Sequence, residues 1–294
     1  MPKPLKFLPG KLPAKKDYRT LKLTQIIRAG LPPAPETFDV DEQLGGIRDD
    51  YMWLNDVLGI CVVAGAAAHL LRHEKYEQGI EIVTTDAEAR KDYFEQTGGI
   101  DSGLYLLDYL NHLRKDGILV GGKSYKIHAF AEVDYKDHEQ VRLGIQLFRG
   151  VYFGMTVTQS MMDQFDAGQI FDVVSNPGKT LGGHCILSPA YLKFKLEGFT
   201  QVGPVFRTWA KRVQATWRFW DRYTDECFIV IDENDPWLNN PNSPLDTTAL
   251  EAILAQVTTL PPPPEPEPRP EPTPPAPPKP GCLGFGLLGR IFKR

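Results

Sequence analysis

Cys61 stands where the loop of residues 54–60, LNDVLGI, runs into CVVAGAAAHLLR over residues 61–72. A run that is apolar nearly all round reads as a helix buried on most sides. The partial positive charge of a helix N-terminus favours a thiolate over a thiol, so Cys61 is a candidate nucleophile. From position alone it is equally a small buried hydrophobe. His184, in LGGHCILSPAY, is the candidate base. Gly182 and Gly183 leave room for a substrate to approach, and the strand-like run after the histidine would hold its ring. Neighbours on a strand point to opposite faces, so Cys185 is expected to face away from His184 and into the core.

Other reactive residue types carry less. His69 and His73 are four apart on the first helical stretch, but HLLRH lacks the glutamate of H-E-x-x-H and offers no third ligand, so a helix-end or solvated role is expected and no metal. His112, His128 and His138 have no partner at ligand spacing. Asp221, Asp225 and Glu226 could pair as acids, yet they stand among Trp217, Phe219, Trp220 and Tyr223, which reads as surface charge flanking an aromatic layer. Gly178-Lys179-Thr180 has the ending of a phosphate-binding loop, but that motif needs another glycine at position 173, which is Val. No cofactor is expected.

The elements that must position Cys61 and His184 come in a clear order. Besides the buried helix, residues 101–114, DSGLYLLDYLNHLR, put leucines 104, 107, 110 and 113 at helical spacing. KIHAFAEVDY, GVYFGMTVTQ, GGHCILSPAY and ECFIVID follow, with the alternation and β-branched or aromatic content of strands. Helices first and strands later indicates an α+β domain. Leu250, Ile253, Leu254 and Val257 then mark a closing amphipathic helix, with Thr248 and Glu251 as a capping box.

Taken together these residues resemble the papain-like cysteine peptidases. The matching features run in order over about residues 32–232: PPAPETFDVDEQLGGI; Asn55 six positions before a cysteine that opens an alanine-rich helix; IDSGLYLLDYLNHLRKDGI as a second helix; VRLGIQLFRGVYFGMTV as the run into the β half; Gly-Gly-His; Thr208-Trp209; and ECFIVID. The interval from Cys61 to His184 is 123 residues, slightly under the roughly 130–150 of papain-type enzymes. The resemblance implies a two-lobed fold, with a helical lobe and an antiparallel, β-barrel-like lobe. It also implies Cys61 as nucleophile, His184 as base, Asn55 at the oxyanion and Trp209 walling the histidine. The expected activity is peptide or isopeptide hydrolysis through an acyl-enzyme. Two departures stand out. Leu58-Gly59-Ile60-Cys61-Val62 lacks the family's disulfide cysteine and following tryptophan, and the family's histidine-orienting asparagine aligns with Arg207, which cannot accept from an imidazole.

The chain also resembles minimal papain-like proteins of tailed bacteriophages and prophages, which implies a location in the bacterial cytoplasm or on the virion. An inactive structural or binding module of a phage particle is the alternative reading, and a transglutaminase or amidase on the same scaffold a third. Net charge is −4 with both signs interspersed, which argues against nucleic acid as a partner. Four scattered cysteines without C-x-x-C fit free thiols. No apolar run suits a signal peptide or a membrane span. Residues 1–35 read as a proline-broken arm over a domain of residues 36–258. After it, residues 259–280 read as a linker, since 13 of residues 261–280 are proline, a spacer of about 60 Å. Residues 281–294, GCLGFGLLGRIFKR, read either as a disordered apolar tail or as a docking peptide for a phage protein or a membrane surface.

Overall fold

The computed structural model describes residues 7–48 and 50–261. The expected linker beyond Pro261, the tail peptide and Cys282 lie outside the described residues. Residues 7–35 hold only short elements, β1 (Leu21–Lys22) running into the single-turn helix α1 (Leu23–Ile26), and β2 (Phe38–Asp39) then runs into α2 (Val40–Gln43).

Three helices follow: α3 (Cys61–Gln78), α4 (Asp86–Gln96) and α5 (Leu106–Lys115). As the apolar run predicts, α3 starts at Cys61; it continues past residue 72 and stops at Gly79, whose φ of 72° makes a left-handed cap. Unanticipated α4 opens on a capping box in which Thr85 Oγ1 accepts from the Glu88 amide and the Glu88 carboxylate accepts from the Thr85 amide. α5 begins at Leu106, beyond Gly103, whose φ is 75°.

A hairpin of β3 (Ile118–Val120) and β4 (Lys123–Tyr125) leads to β5 (Ile127–Glu132). Then come α6 (His138–Phe148), β6 (Val151–Thr158), α7 (Gln159–Asp166), β7 (Thr180–Leu196), β8 (Phe199–Thr208), β9 (Lys211–Gln214), α8 (Trp217–Tyr223), β10 (Thr224–Asp232) and α9 (Thr247–Val257). The main sheet runs β1-β5-β10-β6-β7-β8-β9, with β2 also on β7. All its pairings are antiparallel except β1 with β5. β1 and β9 stay at the edges, so the β half does not close into a barrel; the α+β class holds, although α6, α7 and α8 lie between strands rather than ahead of them.

Two local expectations are corrected. VRLGIQLF, read as part of the run into the strands, is the helix α6: Val141, Gly144, Ile145 and Phe148 are buried at i, i+3, i+4 and i+7, and Asp137 caps its start. The cap of α9 is Asp246, which accepts from the Ala249 amide, rather than Thr248.

Strand alternation gives the sheet two cores. On β10, Phe228 and Val230 join the cluster that buries α3, α4 and α5, whereas Cys227, Ile229 and Ile231 join the cluster on the other face. α3 approaches the sheet closely because it carries Gly65: a Cβ there would lie 2.5 Å from the ring of Tyr152, whose hydroxyl donates to the Val62 carbonyl. Replacing Gly65 would push apart the helix that bears Cys61 and the strand beside His184.

Candidate active site

Cys61 is fully buried at the first turn of α3, and its Sγ accepts from the backbone N–H of Cys185 on β7 at 3.4 Å. The nucleophile candidate therefore touches the residue next to His184. Cys185 itself packs in the helix-side cluster, while the ring of His184 stacks on Trp209, 4.3 Å between centroids and 11° between planes. His184 Nε2 is 2.8 Å from Thr208 Oγ1, and its Nδ1 has no hydrogen-bond partner. When Nε2–H donates to the threonine, Nδ1 keeps the lone pair that a base needs.

Thr208, one position beyond the residue that the resemblance sets opposite the family's asparagine, is thus the hydrogen-bond partner of the His184 ring. Arg207 points elsewhere. Its Nη2 donates to the Tyr51 carbonyl, and its guanidinium lies over the Trp53 ring at 4.5 Å. Trp53 and Leu54 hold φ of 49° and 60°, and Trp53 Nε1 donates to the Thr84 carbonyl at 2.7 Å. Arg207 therefore clamps the strained turn just before Asn55. Asn55 is 3% exposed, and its Oδ1 has no hydrogen-bond partner. The backbone also sets Trp209: Trp209 and Ala210, at φ 44° and 56°, form the two-residue turn between β8 and β9. Two consecutive left-handed residues, neither glycine, are a costly choice that fixes the indole against the imidazole.

Residues 7–12 fill the cleft between these groups. The Lys11 amide donates to the Gly183 carbonyl, the Leu12 amide to the Leu104 carbonyl and the Leu104 amide to the Gly10 carbonyl, all at 2.9 Å. Lys11 thus bridges the two cleft walls, antiparallel to Gly183 and parallel to Leu104. Glycines let the backbones meet: a Cβ on Gly10 would lie 1.8 Å from the Gly59 carbonyl oxygen, and one on Gly183 would lie 2.4 Å from that of Lys11. Phe7 stacks on Trp209 at 4.9 Å. One wall is braced by Asp101, which accepts from the Gly59 amide at 3.0 Å and from Tyr93 Oη at 2.5 Å; Tyr93 Oη in turn accepts from the Gly103 amide at 2.9 Å.

Both reactive groups are neutral in this closed arrangement. Burial pushes the Cys61 thiol up, opposed by the amides of Cys185 and Gly10, and burial pulls His184 down to about 3.

The acids expected on the surface are corrected as well. Glu226 is buried and Asp225 half-buried, and between them lies the fully buried ammonium of Lys11, 3.0 Å from Asp225 and 2.9 Å from Glu226. Gly154 opens that pocket, since a Cβ there would lie 1.9 Å from Lys11 Cε. Only Asp221 fits the surface reading; it pairs with His138 Nε2 at 2.8 Å. His112 pairs with Asp92 and Asp116, and His128 with Glu251. His69 and His73, expected solvated or at a helix end, are buried within α3.

No family model matches the chain, and no curated protein sequence does. Solved structures do. The cysteine protease xylellain from Xylella fastidiosa superposes with a TM-score of 0.59 at 14% identity, over 79% of this chain and 98% of that one. The cysteine protease and lectin-like domains of Cwp84 from Clostridium difficile give 0.56 at 11%, covering 77% of this chain and 56% of that one. The ragweed pollen cysteine protease Amb a 11, in its proform, gives 0.53 at 13%, covering 69% and 67%. The fold is that of the papain-like cysteine proteases. Among the described residues, no helix is long and apolar enough to cross a membrane.

Proposed function

We propose that the chain is a thiol-dependent peptidase acting on peptides or proteins, held latent by its own residues 7–12. One observation carries the reading: Thr208 engages His184 Nε2 and leaves Nδ1 without a partner, on a residue whose neighbour touches the Cys61 sulfur. Once the arm is displaced, water and substrate enter and the burial that keeps both groups neutral is relieved. The Cys61 proton then passes to His184 Nδ1, and the thiolate attacks the scissile carbonyl. The Cys61 backbone N–H and the Asn55 side-chain amide donate to the oxyanion, each such donor being worth about 10²–10³ in rate. His184 returns the proton to the leaving amine, then activates the water that releases the acid. Thr208 accepts from Nε2–H throughout, and Trp209 shields that bond from solvent.

The test compares the full chain with one that begins at residue 13. The shortened chain hydrolyses a fluorogenic peptide; Cys61→Ala and His184→Ala abolish this. Iodoacetamide labelling of its Cys61 titrates well below an ordinary thiol, about 8.5. A labelling pKa at the ordinary value, unmoved by His184→Ala, sinks the reading.

A further inference from the structure

The end of α3 remote from Cys61 buries polar groups that the proposed reaction does not use. By residue count, Glu77 lies about 24 Å along the helix from Cys61. His73, Glu74 and Glu77 share this end of α3, and Asp232 and Asp235, at and just after the end of β10, face them. One donor atom from each of Glu74, Glu77 and Asp232 lies within 4.8 Å of the others, and the same holds for His73, Glu77 and Asp235. Arg149 answers only part of this charge: its Nη1 pairs with Asp235 at 2.7 Å, and the Trp237 amide also donates to Asp235.

Three carboxyl groups remain converged, and their hydrogen bonding is incomplete. Oε1 of Glu74 is buried without a hydrogen-bond partner, and no N–H or hydroxyl reaches the buried oxygens of Glu77, whose side-chain neighbour is the Asp232 carboxyl. His73 is the second, independent sign. It is 1% exposed, both ring nitrogens lack a hydrogen-bond partner, and Nδ1 is 3.9 Å from Glu77 Oε1. A buried imidazole with both nitrogens idle is costly unless something else uses it.

We propose that Glu74, Glu77 and Asp232, with the imidazole of His73 beside them, bind one divalent cation of the oxygen-preferring class. Three carboxylates suit Ca²⁺, Mg²⁺ or Mn²⁺, and an adjacent imidazole favours Mn²⁺ among these. The cation would tie the C-terminal end of α3 to the end of β10, thereby bracing the helix whose other end carries Cys61. The inference stands whether or not Cys61 is active.

The experiment strips the full chain with a chelator and titrates it with Mn²⁺, following the loss of the free-ion electron paramagnetic resonance signal. One equivalent binds, Ca²⁺ competes for it, and the unfolding midpoint rises by roughly 5–10 °C at a hundredfold excess over Kd. Glu77→Gln, which alters the one residue shared by both sets, abolishes binding, while Glu81→Gln leaves it unchanged. Absence of Mn²⁺ binding together with an unmoved midpoint in Mn²⁺, Ca²⁺ and Mg²⁺ overturns the proposal. Binding that survives Glu77→Gln overturns it too. If Glu77→Gln fails to fold, the same comparison is made with His73→Ala, which weakens Mn²⁺ binding at least tenfold; unweakened binding there overturns the proposal.

Discussion

At the scale of single residues, the candidate site is a chain of second-hand constraints. Thr208 fixes which nitrogen of His184 is available, so Thr208→Val should lower kcat/KM of the arm-free chain by about 10²-fold, the scale of a mis-set general base, with Thr208→Ser recovering most of it. A wild-type value for Thr208→Val would show that stacking on Trp209 alone sets the ring. Lys11 reports on substrate choice. It places a cation, one residue along from the Gly10 backbone at the sulfur, into a pocket floored by Asp225 and Glu226. When the arm leaves, two close carboxyl groups lose their counter-ion, and a Lys or Arg side chain of the substrate can restore it. Among peptides differing only at that neighbouring position, those with Lys or Arg should be cleaved at least about tenfold faster than those with Leu or Glu, since truncating one partner of a buried charge pair costs 2 kcal/mol or more. Gly154→Ala, which fills the pocket, should erase the preference. Equal rates across the set would contradict the assignment.

At the scale of elements, the arm is the one most open to manipulation. It is held by three backbone hydrogen bonds and by glycines that allow close approach, so Gly10→Val cannot fit beside Gly59 and should dislodge residues 7–12. Iodoacetamide labelling of Cys61 in the full chain should then accelerate at least tenfold, and the unfolding midpoint should fall, since Lys11 leaves Asp225 and Glu226 and Phe7 leaves Trp209; an unaltered labelling rate would mean that the cleft is not closed by this segment. The helix start at Cys61, the Gly-Gly-His strand and the placing of α3 and α5 ahead of the main strands were legible in the sequence, because apolar periodicity and glycine placement are local signals. Local signals fail where partners are distant in the chain. Thr208 as partner of His184, Arg207 clamping the turn before Asn55, and Lys11 between Asp225 and Glu226 depend on pairing across 24 to 214 positions. The helix α6 is a different case: its spacing was visible in VRLGIQLF, but the strand-like composition of the following GVYFGMTV coloured the reading of the whole run.

At the scale of the whole molecule, the buried ionisable groups set a pH dependence whose two limbs have different owners. Glu74, Glu77 and Glu226 are raised from 4.5 to about 7, and Asp232 from 3.8 to about 6, chiefly by burial. At these four groups the folded chain binds more protons than the unfolded chain between about pH 4 and 7, so their contribution to stability falls as pH rises through that window. His184 and His73 are lowered from 6.5 to about 3 and 4, and His69 is lowered as well. For these the unfolded chain binds more protons, so their stabilising effect is lost as pH falls below 6.5. The opposed slopes place the stability maximum of the cation-free protein between about pH 4.5 and 6.5, with losses toward both pH 3.5 and pH 8. A bound divalent cation holds Glu74, Glu77 and Asp232 ionised in the folded state and removes their share of the alkaline limb, while leaving the acid limb, owned by the histidines, in place. Chemical denaturation between pH 3.5 and 8, with chelator and then with excess Mn²⁺, reads both limbs. The midpoint should recover at pH 8 on adding Mn²⁺ and stay unchanged at pH 3.5, where the carboxyl groups are protonated and cannot ligate. Uniform stabilisation by Mn²⁺ across that range would show that the ion binds elsewhere, and a maximum at pH 8 without it would show that the carboxyl groups do not carry the alkaline limb.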